Sequence, residues 1–369
     1  MHIVHTESSL GWGGQEMRIL EEARGLIGRG HDVRLACPQK ARIYTEAARY
    51  GVPVHALPIG RKSFKGLLAL RHWLKIHPVD VINTHSSTDS WLAALACVSL
   101  HGAPPIVRTR HISTPVHKNA ATRWLYGKAV KHVVTTGEAL RQTLIRDIGL
   151  APERVTSVPT GVDTARFVPG DKAAVRRVLG LDPEKHYLGI VATLRSWKGH
   201  GYLLEAFHQL AAPGWQLLIV GDGPQKEHLK NKVSQLGLES HVIFTGQQNN
   251  PEQWLQALDI FCLPSYANEG VPQAILQAML TELPIITTSV GAITEAVSDG
   301  KTACIVPPRD ATALASAIKA LIENPRQCSA MGSQARKDAE QRFSSGIMLS
   351  NMEAIFAHQS GVRAVNWIA

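Results

Sequence analysis

The segment Leu263-Pro-Ser-Tyr-Ala-Asn-Glu-Gly-Val-Pro-Gln-Ala-Ile-Leu-Gln-Ala-Met279 runs from an apolar strand pattern through a turn into a helical pattern. Pro272 sits where a helix should start, because its fixed φ suits the first helical position. A helix N-terminus offers free backbone N–H groups and a partial positive charge, which suits a diphosphate. Glu269, Gly270 and Val271 stand at that mouth, where a carboxylate can accept hydrogen bonds from sugar hydroxyls. An ordinary surface helix, with Glu269 favouring its dipole, would show the same pattern. Gln277, deeper in the helix, is placed to reach a ribose. Two further stretches carry candidate chemistry. His111, in Arg108-Thr-Arg-His-Ile-Ser113, follows a strand pattern and has two arginines beside it. Val191-Ala-Thr-Leu-Arg-Ser-Trp-Lys-Gly199 offers Arg195 as a fork and Lys198 as a point charge for phosphate oxygens.

These side chains need a scaffold, and the chain alternates strand and helix patterns twice. Strands are expected at His2–His5, Val33–Cys37, Val79–Thr84, Ile106–Thr109, His132–Thr136 and Val155–Val158, with helices at Gln15–Gly28, Lys65–Lys75, Ser90–Ser99 and Ala139–Asp147. A Gly- and Pro-punctuated stretch, Pro159–Gly170, reads as the linker. The alternation then restarts, with strands at Tyr187–Thr193, Trp215–Val220, His241–Thr245, Ile260–Leu263, Pro284–Thr288 and Ala303–Val306. Helices are expected there at Tyr202–Leu210, Gln225–Leu236, Pro251–Ala257, Pro272–Leu280 and Thr312–Ile322. This predicts an α/β protein with two doubly wound, Rossmann-like domains facing a central cleft. Their expected bounds are 1–165 and 166–344, with a C-terminal helix in 345–369 rejoining the first.

The helix-opening segment resembles the Glu–seven residues–Glu motif of the retaining GT-B glycosyltransferases of family 4. Glu269 matches the first acid, which in that family contacts the donor sugar. Gln277 takes the place of the second, which binds the ribose. The resemblance extends along the chain. Gly11-Trp-Gly-Gly-Gln-Glu16 follows the first strand, as does the family's Gly-rich loop, so Gly13 and Gly14 are expected beside the donor phosphates. His111 resembles the active-site histidine, and Lys198 the phosphate-binding lysine. Thr193 falls where the family has Arg, leaving Arg195 as the substitute guanidinium. Gly221-Asp-Gly-Pro224, Phe244-Thr-Gly-Gln247 and Val290-Gly-Ala-Ile-Thr-Glu295 match in order and spacing. They add Gly223, Gly246 and Gln247 to the expected donor-binding set. The resemblance implies metal-independent hexosyl transfer with retention, in which His111, Glu269 and Lys198 are the catalytic set. It also implies a nucleotide-sugar co-substrate, UDP first, and no separate cofactor. A sugar-nucleotide 2-epimerase of the same architecture, or a non-catalytic sugar-nucleotide-binding protein, would share these features.

The net charge of +9 sits in the first part: residues 1–165 hold 21 Lys and Arg against 12 Asp and Glu, and residues 166–369 hold 18 of each. Arg61–His77 has five Lys or Arg and no acid, interleaved with Phe64, Leu67, Leu68, Leu70, Trp73, Leu74 and Ile76. Arg108–Lys131 has six and no acid. A basic helix with apolar residues can lie in an anionic membrane interface, or be a core helix with solvated lysines. Arg108, Arg110, Lys118 and Arg123 are candidate contacts to a glycan or lipid-linked acceptor. The acceptor expected is a lipopolysaccharide or surface-polysaccharide intermediate at the inner face of a membrane.

Absences narrow the field. No run reaches the roughly 18 apolar residues of a spanning helix, and Met1-His-Ile-Val-His5 reads as a strand rather than a signal peptide. The expected compartment is the cytoplasm. Cys37, Cys97, Cys262, Cys304 and Cys328 are scattered and form no Cys-x-x-Cys pair, so neither a disulfide framework nor a zinc site is expected. No Asp-x-Asp and no Gly-x-Gly-x-x-Gly occurs, which disfavours metal-anchored GT-A transfer and nicotinamide chemistry. No nucleic-acid motif accompanies the basic windows.

Overall fold

The computed structural model describes residues 1–111, 116–267 and 269–361. Ile112 and Ser113 of the His111 stretch, Asn268 beside Glu269, and the end of the 345–369 segment lie outside the described residues. The chain divides into two compact units, Met1–Gly161 with the chain from Ser345, and Val162–Ser344.

Among the described residues the first unit holds seven parallel strands: β1 (His2–Thr6), β2 (Asp32–Cys37), β3 (Val54–Ala56), β4 (Val81–Thr84), β5 (Ile106–Arg110), β6 (Val130–Thr135) and β7 (Val155–Ser157). Their order is β3-β2-β1-β4-β5-β6-β7. The direction of winding reverses between β1 and β4, so loops leaving those two strands diverge and open a crevice at their carboxyl ends. Ile3, Leu35, Val81, Val107 and Val134 are buried against the helix Gly14–Gly28, whose Ile19, Leu20 and Ala23 face the sheet. The helix Ser345–Ser360 completes that core with Met348, Leu349, Met352 and Phe356.

Among the described residues the second unit holds six parallel strands: β8 (His186–Val191), β9 (Trp215–Val220), β10 (Val242–Gly246), β11 (Ile260–Leu263), β12 (Ile285–Thr288) and β13 (Cys304–Val306). Their order, β10-β9-β8-β11-β12-β13, places the reversal between β8 and β11. The strands are apolar on both faces, as a sheet covered by helices on both sides requires.

Three features depart from expectation. The helix after β11 begins at Gln273, and Pro272 is its N-cap with extended backbone (φ −72°, ψ 124°) rather than its first turn. The three-residue edge strand β3 and the helix Pro325–Arg342 join the framework. The stretch Pro159–Gly170 is packed rather than free: Val162 and Phe167 are buried in the second core, and Val162 N–H donates to Phe343 O at 2.8 Å.

Candidate functional site

Lys198 and Glu269 lie in loops that leave the two strands flanking the switch point of the second unit. In the second unit, β8 runs into the loop carrying Lys198, and β11 runs into the loop carrying Glu269. Lys198 Nζ lies 2.7 and 3.0 Å from the two carboxylate oxygens of Glu269, and Ser265 Oγ donates to Oε1 at 2.6 Å. Glu269 is 5% exposed and the Lys198 side chain 20%. A buried carboxylate stays charged only with partners of this kind. Lys198 and Glu269, 71 residues apart, therefore form one charged unit.

Two glycines make that approach possible. Gly199 has φ +80°, and a Cβ there would meet Pro264 O at 2.0 Å, so only glycine lets the Lys198 loop pass the exit of β11. Gly291 has φ +63°, and a Cβ there would meet Glu269 O at 2.0 Å. Ala292 N–H donates to that carbonyl at 3.3 Å, holding the backbone of Glu269 from the loop after β12.

The other expected donor-site residues divide. Gly223 backs onto Leu194, which N–H of Gln225 meets through its carbonyl at 3.0 Å, so this turn packs on the β8 loop. Gly246 O accepts from Gly221 N–H at 2.9 Å, while Gln247 is exposed. Gly270 is half-buried; Val271 and Pro272 are buried beside Glu269. Gln277 is 7% exposed, more enclosed than a freely reaching ribose ligand. Thr193 is half-buried, and its carbonyl accepts from Arg195 N–H at 2.7 Å. Arg195 is not drawn to the Lys198–Glu269 pair. Its guanidinium lies 5.7 Å from the Trp197 ring centroid and lines a separate cavity of about 230 Å³ with His200, Tyr202, Lys232 and Tyr266. His200, for which the sequence offered no role, is buried there, and neither of its ring nitrogens is hydrogen-bonded to a described residue. Burial, with the charge of Lys198, lowers its pKa to about 3.

In the first unit, His111 follows β5 and joins two histidines that the sequence reading left unassigned. His5 Nδ1 is 2.9 Å from His85 Nε2, and His85 Nδ1 is 2.9 Å from His111 Nε2. His5 and His85 are buried; His111 is half-buried. Burial lowers all three pKa values, His5 to about 3, and the charge of Arg18 pushes each further the same way. Arg18 is itself fully buried, donating to Val158 O at 2.8 Å and standing 3.5 Å from Glu22. Beside the row, Asp89 Oδ2 accepts from His85 N–H at 2.9 Å and from Thr6 Oγ1 at 2.8 Å. Glu7 accepts from Ser86, Gln15 and Ser9, and burial with the neighbouring Asp89 raises its pKa. Gly13, extended, caps the helix that Gly14 opens, and no side chain caps its first N–H groups. The signal for His85 was its position: like His111, it directly follows a strand.

The four acceptor candidates also divide. Arg108 is 4% exposed, with its guanidinium 4.7 Å from the Tyr126 ring centroid. Arg110 is half-buried and donates to Tyr126 OH at 3.1 Å. Lys118 and Arg123 are exposed, Lys118 lying 3.2 Å from Asp147. The helix Phe64–Ile76 buries Leu70, Trp73 and Leu74 but leaves Phe64 and Ile76 exposed. Leu95 and Val98 of the helix Ser87–Val98 are exposed too. Among the described residues no helix is long and apolar enough to cross a membrane, and no group of three or more His, Cys, Asp or Glu is placed to hold a metal ion.

Residues 12–166 match the family model described as Glycosyltransferase Family 4, and residues 171–338 match Glycosyl transferases group 1. The chain is 33% identical over 186 residues to a lipopolysaccharide core biosynthesis mannosyltransferase of Rhizobium meliloti, covering 47% of this chain and 53% of that protein. It is 29% identical over 244 residues to the Escherichia coli UDP-Gal:alpha-D-GlcNAc-diphosphoundecaprenol alpha-1,3-galactosyltransferase, covering 62% of each. These matches span half to three fifths of the two relatives. The crystal structure of Anabaena HepE in complex with UDP-glucose superposes with a TM-score of 0.85 at 23% identity, covering 97% of this chain and all of that one. The two Rossmann-like units are those of the GT-B fold.

Proposed function

The chain belongs to glycosyltransferase family 4, and from that premise we propose that it moves a hexose from a nucleotide sugar, UDP-linked by preference, to a glycan or lipid-linked acceptor with retention of configuration. The observation that carries this reading is the Lys198–Glu269 pair at the β8/β11 switch point. In the second unit Lys198 would turn to the leaving diphosphate, where a preorganised cation stabilises developing charge. Glu269 would exchange its ammonium partner for sugar hydroxyls. Backbone N–H groups of the helix opening at Gln273 would add positive potential, and Gln277 would bind the ribose through its amide. Gly13 and Gly14 would offer further N–H groups to phosphate. By the same reading the first unit takes the acceptor, and His111 meets substrate hydroxyls.

No metal or separate cofactor enters this chemistry; the leaving phosphate would take the acceptor proton. The relatives named above act in lipopolysaccharide core synthesis and on a diphosphoundecaprenol-linked sugar, which supports a role in lipopolysaccharide or cell-surface polysaccharide assembly. The exposed Phe64, Leu68 and Ile76 among Arg61, Lys62, Lys65 and Lys75 suit peripheral contact with an anionic inner leaflet. A thermal-shift screen against nucleotide sugars tests the donor, since a ligand that binds the folded state raises its melting temperature. Assay of the stabilising donor with and without lipid-linked acceptors then tests the reaction. Transfer that requires acceptor is expected; conversion of the donor alone would establish an epimerase instead. Salt-sensitive flotation with anionic liposomes tests the membrane contact.

A further inference from the structure

His5, His85 and His111 stand on three adjacent strands, on or just after β1, β4 and β5. Neighbouring parallel strands lie about 4.8 Å apart, and successive ring centroids in the row are 5.2 Å apart. That separation is the 2.9 Å N···N distance plus one ring radius from each side, so the rings meet edge to edge. The planes of His5 and His85 differ by 10° and those of His85 and His111 by 33°. In-plane N–H donors and in-plane lone pairs require such an arrangement.

A neutral imidazole has one N–H and one lone pair. Each contact in the row needs one proton, so the choice at one ring dictates the next. Either every proton points from His111 toward His5, or every proton points from His5 toward His111. In the first case His5 carries its proton on Nε2. That atom is buried and has no hydrogen-bond partner among the described residues, and a buried N–H left without an acceptor is rare. The buried cation of Arg18, whose charge acts on His5, also favours a lone pair there over a second positive edge. In the second case His5 donates from Nδ1 to His85 Nε2, and His85 donates from Nδ1 to His111 Nε2. His111 then holds its own proton on Nδ1, which makes no hydrogen bond to the described residues.

We propose that His5 and His85 are positioning residues that lock His111 as the neutral Nδ1–H tautomer, so that it meets a substrate hydroxyl as a fixed hydrogen-bond donor through Nδ1. The tautomer stands on the geometry alone; its use in transfer rests on the function proposed above. Burial keeps the row uncharged, and the backbone contact of His85 with Asp89 is independent of its ring, so the ring can be replaced without dismantling the loop.

Long-range proton–nitrogen correlation spectra of the full-length 15N-labelled protein report which ring nitrogen of each histidine carries the proton. Spectra of His111→Gln and His85→Phe assign the two rings. The expected result is Nδ1–H for His111 in the wild type, and loss of that preference in His85→Phe. An asparagine amide can donate to or accept from His111 Nε2 and breaks the link to His5, so His85→Asn should leave both tautomers of His111 populated. With the donor and acceptor found above, His85→Phe should lower kcat/KM about tenfold, the worth of roughly one hydrogen bond, and His85→Asn should recover only part of it. A wild-type His111 protonated on Nε2 would overturn the row. A His85→Phe enzyme that loses the tautomer yet keeps full turnover would overturn the positioning role. If no donor is turned over by the wild type, the transferase reading fails, and with it the use in transfer, while the spectra still decide the tautomer.

Discussion

The two switch points solve the same problem in opposite ways. At β1/β4 the first unit buries histidines against histidines, with the buried charge of Arg18 acting on them, and burial keeps each ring neutral. At β8/β11 the second unit buries a carboxylate against an ammonium, and pairing allows both to remain charged. A row of neutral donors and acceptors fits hydroxyl groups, which carry no charge. An ion pair fits a substrate that brings its own charge and can take over one partner. The contrast suits the proposal that the first unit takes the acceptor and the second the donor.

The largest effect should come from the charged edge. Glu269→Ala and Lys198→Ala should each lower transfer by on the order of a hundredfold, as expected for lost electrostatic positioning. Each should also destabilise the fold by about 3 kcal/mol, because one charge is left without its partner; kinetics and urea unfolding read the two effects separately. Near-normal turnover by either folded variant would break the comparison at its charged end. Gly291→Ala should cost about tenfold in kcat/KM and about 2 kcal/mol, since the added Cβ collides with the Glu269 carbonyl and the backbone is left-handed.

The neutral edge predicts a pH signature. Burial lowers His5 in the row to about 3 and, outside the row, the buried His132 of β6, 2.9 Å from Thr156 Oγ1, to about 4, against 6.5 unfolded. Their folded pKa values are lowered, so the unfolded state takes up protons first, and stability present above pH 6.5 is lost as the pH falls toward those values. Each such histidine contributes a slope of about 1.4 kcal/mol per pH unit in that window. The raised carboxyls of Glu7 and Asp89 act in the opposite sense and offset part of it. The urea midpoint should therefore fall from pH 7 to pH 5, and His132→Gln should flatten the fall. A midpoint that rises on acidification would show that the carboxyls dominate. The smallest effect belongs to Gln277→Ala: a donor KM raised about fivefold with kcat little changed, as for one uniform hydrogen bond.

Much of the framework was legible. Trp215–Val220 and Ile260–Leu263 are strands with the expected bounds, because both are apolar runs closed by Gly or Pro. The strand β3 was not legible, since Val54-His-Ala56 is three residues at a sheet edge with no alternation to read. The helix Pro325–Arg342 buries only Met331, Gly332, Ala335 and Ala339, so small residues replace the usual apolar stripe. Glu269 and Lys198 could be picked out by their neighbours in the chain, but nothing local says that they face each other. The row of histidines was less accessible still. Its members are 80 and 26 residues apart, and only the strand order brings them side by side. The burial of Arg108 was not legible either, because a basic window does not tell which of its members a strand turns inward.

The return of the helix Ser345–Ser360 to the first core has a consequence for how the chain is made. The second unit is one uninterrupted stretch whose two ends already touch, at Val162 and Phe343. The first unit lacks Met348, Met352 and Phe356 until the helix Ser345–Ser360 leaves the ribosome. The second unit is therefore the one that can finish first, and the first unit waits, with part of its apolar floor uncovered, for a helix translated after the whole of the second.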